Sequence, residues 1–388
     1  MAGIPIWRGL VPVLLLCFPL PALAHIKWFA EVDVSGDPRM PWMVFATPSF
    51  AALGLIAIAA MFASGWLDAR IARAPRGLVA RVRAFDAAAS ASTIMRLGIA
   101  ACFIADVVHF KDMAVFLTPE LKGDSAWIRI AQWTVALAAL FERPIVAAAG
   151  IALLFVEAAA HYGLFHLMDY PLFIGIAVFL AAGERWRPQA AMLLRACVAL
   201  TFMWGGIEKW LYPQWTFPLL CGSGKALTMG LDPDFFMQAA GFVEFALAFV
   251  VLAGELAARV ASLALVGVFA AAIPMFGVVD AVGHAPFMLA LIVLAVRPNE
   301  WVARFACPRA LAQGASWALA FVVALGGMPL AYYAAHQLAY ARPWSRLEPA
   351  SVAGGVACLL VAVVFTALRA RGRLAGRGRM SLGPPFSS

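Results

Sequence analysis

Two acid–histidine spacings in this sequence are suited to chemistry. Asp106 and His109 are three residues apart, and Glu157 and His161 are four apart, the separations at which side chains share one face of an α-helix. A carboxylate that orients an imidazole is the usual support of a metal ligand, and equally of a proton relay. His166 and Asp169 follow shortly after His161. If their helices run side by side, these residues converge at one mouth suited to copper, zinc or protons; solvated helix ends are the plainer alternative. A second set, Glu208, Lys209, Glu244, Asp280 and His284, comes further along the chain. Glu244 lies well inside an apolar segment, where an ionisable side chain is costly and needs a reason. It reads either as a buried polar contact or as part of a substrate pocket. Glu208 and Lys209 are adjacent and cannot face one another on a helix, and Lys209 is near enough to a helix end to snorkel outward.

His25 offers a different chemistry. Residues 1–24 read as a secretory signal: Arg8, the apolar run Val11–Leu20, then Ala22-Leu23-Ala24 as a cleavage site. Cleavage there leaves His25 at the amino terminus, where amine and ring nitrogen together would suit copper(II). An interfacial segment anchored by Lys27 and Trp28 is the competing reading.

The elements that must position these residues follow from composition. Of 388 residues, 64% are apolar and only 13% charged, outside the range of soluble globular domains. Apolar stretches of about twenty residues recur throughout, which predicts membrane-spanning helices. They fall at about 43–63, 93–110, 127–142, 144–162, 170–183, 190–210, 233–253, 258–278, 284–297, 313–335 and 350–369. The fold class is therefore all-α, a polytopic membrane protein of about 11 transmembrane helices. Arg70, Arg73, Arg76, Arg81 and Arg83 follow the first span, and basic loops face the cytoplasm. That rule places the mature amino terminus in the periplasm and the arginine-rich carboxyl terminus in the cytoplasm of a bacterial inner membrane. All six histidines then fall on the periplasmic side. The net charge of +8 is explained by these loops, so nucleic acid is not an expected partner; the lipid bilayer is. The six cysteines form no Cys-x-x-Cys pair, which leaves neither a disulfide framework nor a zinc site to read. There is no His-Glu-x-x-His, Gly-x-Ser-x-Gly or dinucleotide-binding glycine pattern.

An internal repeat organises the spans. Ile94–Leu121 aligns without gaps on Leu193–Leu220, matching Arg96 with Arg195, Ala100 with Ala199, Phe103 with Phe202, Pro119 with Pro218 and Leu121 with Leu220. Each copy opens a block of four helices, and the two blocks share one orientation, as parallel repeats do. The fourth helix opens at Asp169-Tyr170-Pro171 in one block and at Gly283-His284-Ala285-Pro286 in the other. The expected organisation is a signal peptide (1–24), a leading segment with the first span and basic loop (25–92), repeat 1 (93–184), repeat 2 (185–297), a two-helix part (298–369) and a basic tail (370–388). In the first repeat His109 stands where Glu208 does and Phe110 replaces Lys209, while no residue clearly matches Glu244.

The second repeat carries Gly205-Gly206-Ile207-Glu208-Lys209-Trp210-Leu211-Tyr212-Pro213, then Glu244 followed by Gly254 and Ala258-Arg259-Val260-Ala261, and then Gly283-His284-Ala285-Pro286. In these motifs it resembles the DoxX family of bacterial inner-membrane proteins. The likeness covers about residues 190–297. The resemblance implies tandem four-helix membrane bundles. It also implies a link to quinone-dependent sulfur oxidation or periplasmic redox maturation, with a redox partner or membrane complex. The expected function is thus a quinone-linked membrane subunit with a periplasm-facing polar site. Copper or zinc handling, small-solute transport and a non-catalytic assembly role stay open, and the sequence does not decide whether the chain is an enzyme.

Overall fold

The computed structural model describes residues 28–30, 32–71, 88–222, 224–297, 299, 307 and 309–340. The signal sequence, His25, most of the first basic loop and the helix expected at 350–369 lie outside the described residues. Among the described residues the chain is mostly helical, and its strands form a two-residue antiparallel pair, β1 (Ala114–Val115) with β2 (Lys122–Gly123). Helices dominate because a span in hydrocarbon must satisfy every backbone N–H and C=O within itself.

A short α1 (Pro41–Phe45) leads into α2 (Pro48–Ile71). The first block comprises α3 (Ala88–His109), α4 (Ala126–Leu140), α5 (Pro144–Tyr162), the single turn α6 (Leu164–Leu167) and α7 (Pro171–Ala181). The second comprises α8 (Arg187–Leu211), a short α9 (Phe217–Cys221), α10 (Pro233–Ala253) and α11 (Leu256–Val296), and α12 (Ala310–Ala339) follows. Proline opens α5, α7 and α10, where its missing N–H costs nothing. The Asp232 carboxylate caps α10 by accepting from the N–H groups of Asp234 and Phe235.

Among the described residues, seven helices (α2, α3, α5, α8, α10, α11 and α12) are long and apolar enough to cross a membrane, and α4 and α7 are shorter apolar helices. The chain is a multi-pass helical membrane protein. The expected count of eleven spans is not confirmed among the described residues. Those expected at 258–278 and 284–297 both lie in α11, whose 41 residues would run about 60 Å if straight, twice a bilayer's apolar thickness. It is not straight. Gly277 takes φ 74° and ψ −153°, a conformation open to glycine and closed to other residues, and the Phe269 and His284 rings stack 4.9 Å apart. Fifteen residues of straight helix would hold those rings more than 20 Å apart, so α11 doubles back at Gly277 into two limbs.

Consecutive helices pack within each block, and the blocks engage reciprocally. The first helix of one lies on the fourth of the other: α3 on the second limb of α11, and α8 on α7. Gly175 of α7 makes one of these contacts possible, since a Cβ there would lie 2.9 Å from the Leu194 Cα. Arginines gather at one end of the helices. Arg96 donates to the Ala139 and Leu140 carbonyls, Arg187 to Phe179, and Arg195 to Val251 and Leu294. At that same end the buried Asp68 of α2 accepts from the N–H groups of Glu255 and Ala257 at the start of α11. The chain divides into two compact units at Ala318/Leu319. In the second, Tyr332, His336 and Gln337 are buried, and the His336 ring lies 4.8 Å from that of Tyr340.

Candidate functional site

The second block brings its ionisable residues together. Lys209, in the last turn of α8, reaches across to α10 and donates to Glu244 Oε2 at 2.8 Å. The two side chains are 9% and 3% exposed, so Lys209 does not snorkel. It turns inward because α8 and α10 touch through glycine: a Cβ on Gly206 would lie 2.9 Å from the Gly241 carbonyl oxygen, the small-residue approach that holds membrane helices together. Lys209 also donates to the Gly205 carbonyl, at 3.5 Å. Glu208 is buried as well. Adjacent residues on α8 can both be covered because α7 packs on one side of it and α10 on another.

Asp280 and His284 were expected in the turn before the last helix of the block. They lie instead inside the second limb of α11, both 0% exposed, because Gly277 makes the bend that a loop would otherwise make. His284 Nδ1 is 3.1 Å from the Asp280 carbonyl oxygen and 3.1 Å from Asp280 Oδ1. Both oxygens can accept, so Nδ1 is a ring nitrogen that carries a proton. Phe269 stacks on one side of the imidazole, and the Trp28 ring lies 4.4 Å away. Besides Lys209, His284 and Glu208 also lie within electrostatic range of Glu244. All five residues of the second set are thus buried, with Lys209, Glu208 and His284 within range of Glu244 and Asp280 behind His284. Such a group can hold and pass protons in surroundings that exclude water.

The first block is arranged differently. Asp106 is buried on the inner stripe of α3 with Met95, Ile99 and Cys102, whereas His109, Glu157 and His161 are exposed. Among the described residues no three or more histidine, cysteine, aspartate or glutamate side chains are placed to hold a metal ion. The expected convergence of Asp106, His109, Glu157, His161, His166 and Asp169 on one metal is therefore not formed. Helical spacing sets the angle between two residues on one helix, and α3 and α5 turn their histidines outward rather than toward each other.

His166 has a partner that the sequence reading missed, Glu120, whose Oε1 lies 2.7 Å from His166 Nε2. The small β1–β2 hairpin presents Glu120, and Tyr162 closes over it, donating to the Lys122 carbonyl at 2.8 Å. Tyr170, fully buried at the start of α7, lies close enough to Glu120, Asp169 and Thr118 for their side chains to act on its hydroxyl. The one sequence signal for Glu120 was its place beside Pro119, a matched position of the repeat.

The two blocks can be compared through their matched arginines. Arg96 donates to the Ala139 carbonyl near the end of α4, and Arg195 to the Val251 carbonyl near the end of α10. That register sets Gln132, seven residues before Ala139, against Glu244, seven before Val251. Gln132 is buried and donates to the Val115 carbonyl at 2.7 Å. The residue answering Glu244 is therefore its neutral isostere, which a search for a carboxylate overlooks. Phe110 replaces Lys209, Asp169 replaces His284, and Asp106 stands at the place of Gly205, where a Cβ would lie 3.7 Å from Glu244 Oε2. The lysine–glutamate pair belongs to the second block alone. No protein-family model matches this chain, and no curated protein or solved structure shows significant similarity to it.

Proposed function

We propose that this protein is a DoxX-like, quinone-linked membrane subunit of the bacterial inner membrane, with its working site in the second four-helix block facing the periplasm. The observation that carries the reading is the buried assembly of Lys209, Glu244, His284 and Asp280, with Glu208 beside it. Ionisable side chains placed this deep between spanning helices are expensive and are kept where they bind or relay. The arginines Arg96, Arg187 and Arg195 cluster at the opposite end of the helices, so the positive-inside rule turns the site's end toward the periplasm.

The residues present suit a quinone head group. Phe269, Phe287 and the imidazole supply flat apolar faces, the ammonium of Lys209 supplies a donor for a quinone carbonyl oxygen, and His284 Nε2 supplies an acceptor for a quinol hydroxyl. A bound quinone would contribute two-electron, two-proton redox chemistry, its electrons exchanged with a partner protein. This chain's own part is to bind, to keep water out and to handle protons. His284, its Nδ1 proton held toward Asp280, takes up or gives back one proton at Nε2. Glu244 does the same for a second, and Lys209 holds its carboxylate in place.

The reading is tested on protein purified in mild detergent, by extracting and quantifying quinone and titrating with ubiquinone-1 and menadione. Bound quinone or saturable binding is expected, and Lys209→Met and His284→Leu should each weaken it at least tenfold. Wild-type protein that carries no quinone and binds neither probe refutes it. Stoichiometric copper or zinc in the same sample would favour the metal-handling alternative.

A further inference from the structure

The residues that lead into α1 cross the end of the second block and are fastened to it. Phe29 stacks on Phe276 with centroids 4.7 Å apart. Tyr212 donates its hydroxyl proton to the Gly36 carbonyl at 2.8 Å. Arg39 donates its N–H to the Leu211 carbonyl at 2.9 Å and pairs with Asp234 at 2.6 Å. Trp28 is the residue this strap delivers to the site. Its indole lies over the His284 imidazole at 4.4 Å, inclined by 44°, and meets Phe287 edge-on at 6.4 Å. The floor beneath it is Gly283, where any Cβ would run into the indole ring; that Cβ would also lie 2.9 Å from Pro119 of the first block. A flat ring therefore occupies a ring-shaped slot whose far wall is the buried imidazole. Trp28 is itself only partly buried, while His284 beneath it has no exposed surface.

We propose that this slot is the seat of a planar ring ligand and that Trp28, carried on the amino-terminal strap, fills it as a removable plug. The ligand class is a flat, carbonyl-bearing ring that can accept hydrogen bonds, such as a quinone head, and in naming it the inference rests on the function proposed above. Entry requires the indole to leave. Apparent affinity is then lowered by the fraction of time the plug is seated, and removing the plug restores it. Anchoring at Phe29, Gly36 and Arg39 keeps the strap that follows Trp28 docked while the indole swings out.

The experiment uses the full chain in detergent and two readouts. In the first, Trp28→Ala is titrated with indole, and thermal unfolding should shift upward in that variant and not in wild type. In the second, ubiquinone-1 should bind Trp28→Ala about tenfold more tightly than wild type. Phe29→Ala, which loosens the strap and leaves the slot untouched, should tighten binding about twofold, and Trp28→Phe, which keeps a plug, should stay near wild type. Failure of indole to stabilise Trp28→Ala overturns the slot. Quinone binding that Trp28→Ala and Phe29→Ala leave unchanged or weaken makes Trp28 a wall of the site and overturns the plug. Indole binding without quinone binding in any variant keeps the slot and removes the quinone reading alone.

Discussion

The ion pair between Lys209 and Glu244 allows a thermodynamic test of whether the second block is organised around it. Both side chains are almost fully buried and meet at 2.8 Å. Lys209→Met would leave Glu244 with Glu208 acting on it and no ammonium to offset either carboxylate. Glu244→Gln would leave the Lys209 ammonium enclosed, with the more distant Gly205 carbonyl at 3.5 Å. Breaking a buried pair from one side costs roughly 3–5 kcal/mol, and the lower end applies here because a chain unfolded within a micelle finds other polar partners. Replacing both, as Lys209→Met with Glu244→Gln, removes the charges together and should cost no more than one single change, about 3 kcal/mol. The coupling free energy is then also about 3 kcal/mol, at the upper end for side chains in contact. The assay is SDS-induced unfolding in mixed micelles, followed by circular dichroism and corrected to a common surfactant fraction. If the two single costs add within about 0.5 kcal/mol in the double variant, the pair does not organise the block and the reasoning fails.

Three further outcomes follow from other contacts. Asp68→Ala removes the carboxylate that accepts from Glu255 and Ala257; it should cost about 1–2 kcal/mol and speed hydrogen exchange at those two amides, and an unchanged exchange rate would contradict the contact. Gly175→Ala should destabilise by about 1–3 kcal/mol, because its Cβ would press on the Leu194 backbone. Gly98→Ala should cost less, since it meets only the mobile end of the Leu289 side chain; equal costs in the unfolding assay would show that the block interface is not backbone-limited at Gly175. Gln132→Glu should lower the unfolding midpoint by introducing a buried carboxylate with no lysine nearby, and adding Phe110→Lys should recover part of the loss, whereas a stable single variant would mean that the first block already holds a counter-charge there.

Much of the fold could be read from the sequence because a membrane span announces itself by length and apolarity, quantities that do not depend on neighbours. Pro144–Tyr162 and Pro233–Ala253 coincide with the expected helices residue for residue. The break in α11 was expected between 278 and 284, in a stretch that also carries Pro274, Asp280, Gly283 and Pro286; what the sequence did not mark was that the bend falls at Gly277 with helix on either side. The site divides in the same way. Lys209, Glu244, Asp280 and His284 could be found because charges inside apolar segments are rare. Glu120 and Trp28 could not, because an acid in a polar loop and a tryptophan near a membrane surface are ordinary, and only the folded chain brings them to His166 and His284.

The blocks share a scaffold and differ in charge, and the difference has a direction. The matched arginines Arg96 and Arg195 make the same type of contact with the second helix of their blocks, so the scaffold that sets helix register is held in common. What changes is the interior near the other end, where Lys209, Glu244 and His284 are answered by Phe110, Gln132 and Asp169. Gln132 retains the shape and hydrogen bond of a buried glutamate without its charge, which removes the need for a lysine, and Phe110 is an apolar residue in the lysine's place. These paired changes leave the first block free of the lysine–glutamate pair. Its contribution to the site is then one of placement. Pro119 braces Gly283, and Tyr170 and Phe173 approach Phe287 from the first block, so the walls of the second block's site are partly made by the first. A second block expressed alone would keep its ion pair and lose one wall of the ring slot, and for that reason the chemistry is assigned to one block and the enclosure to both.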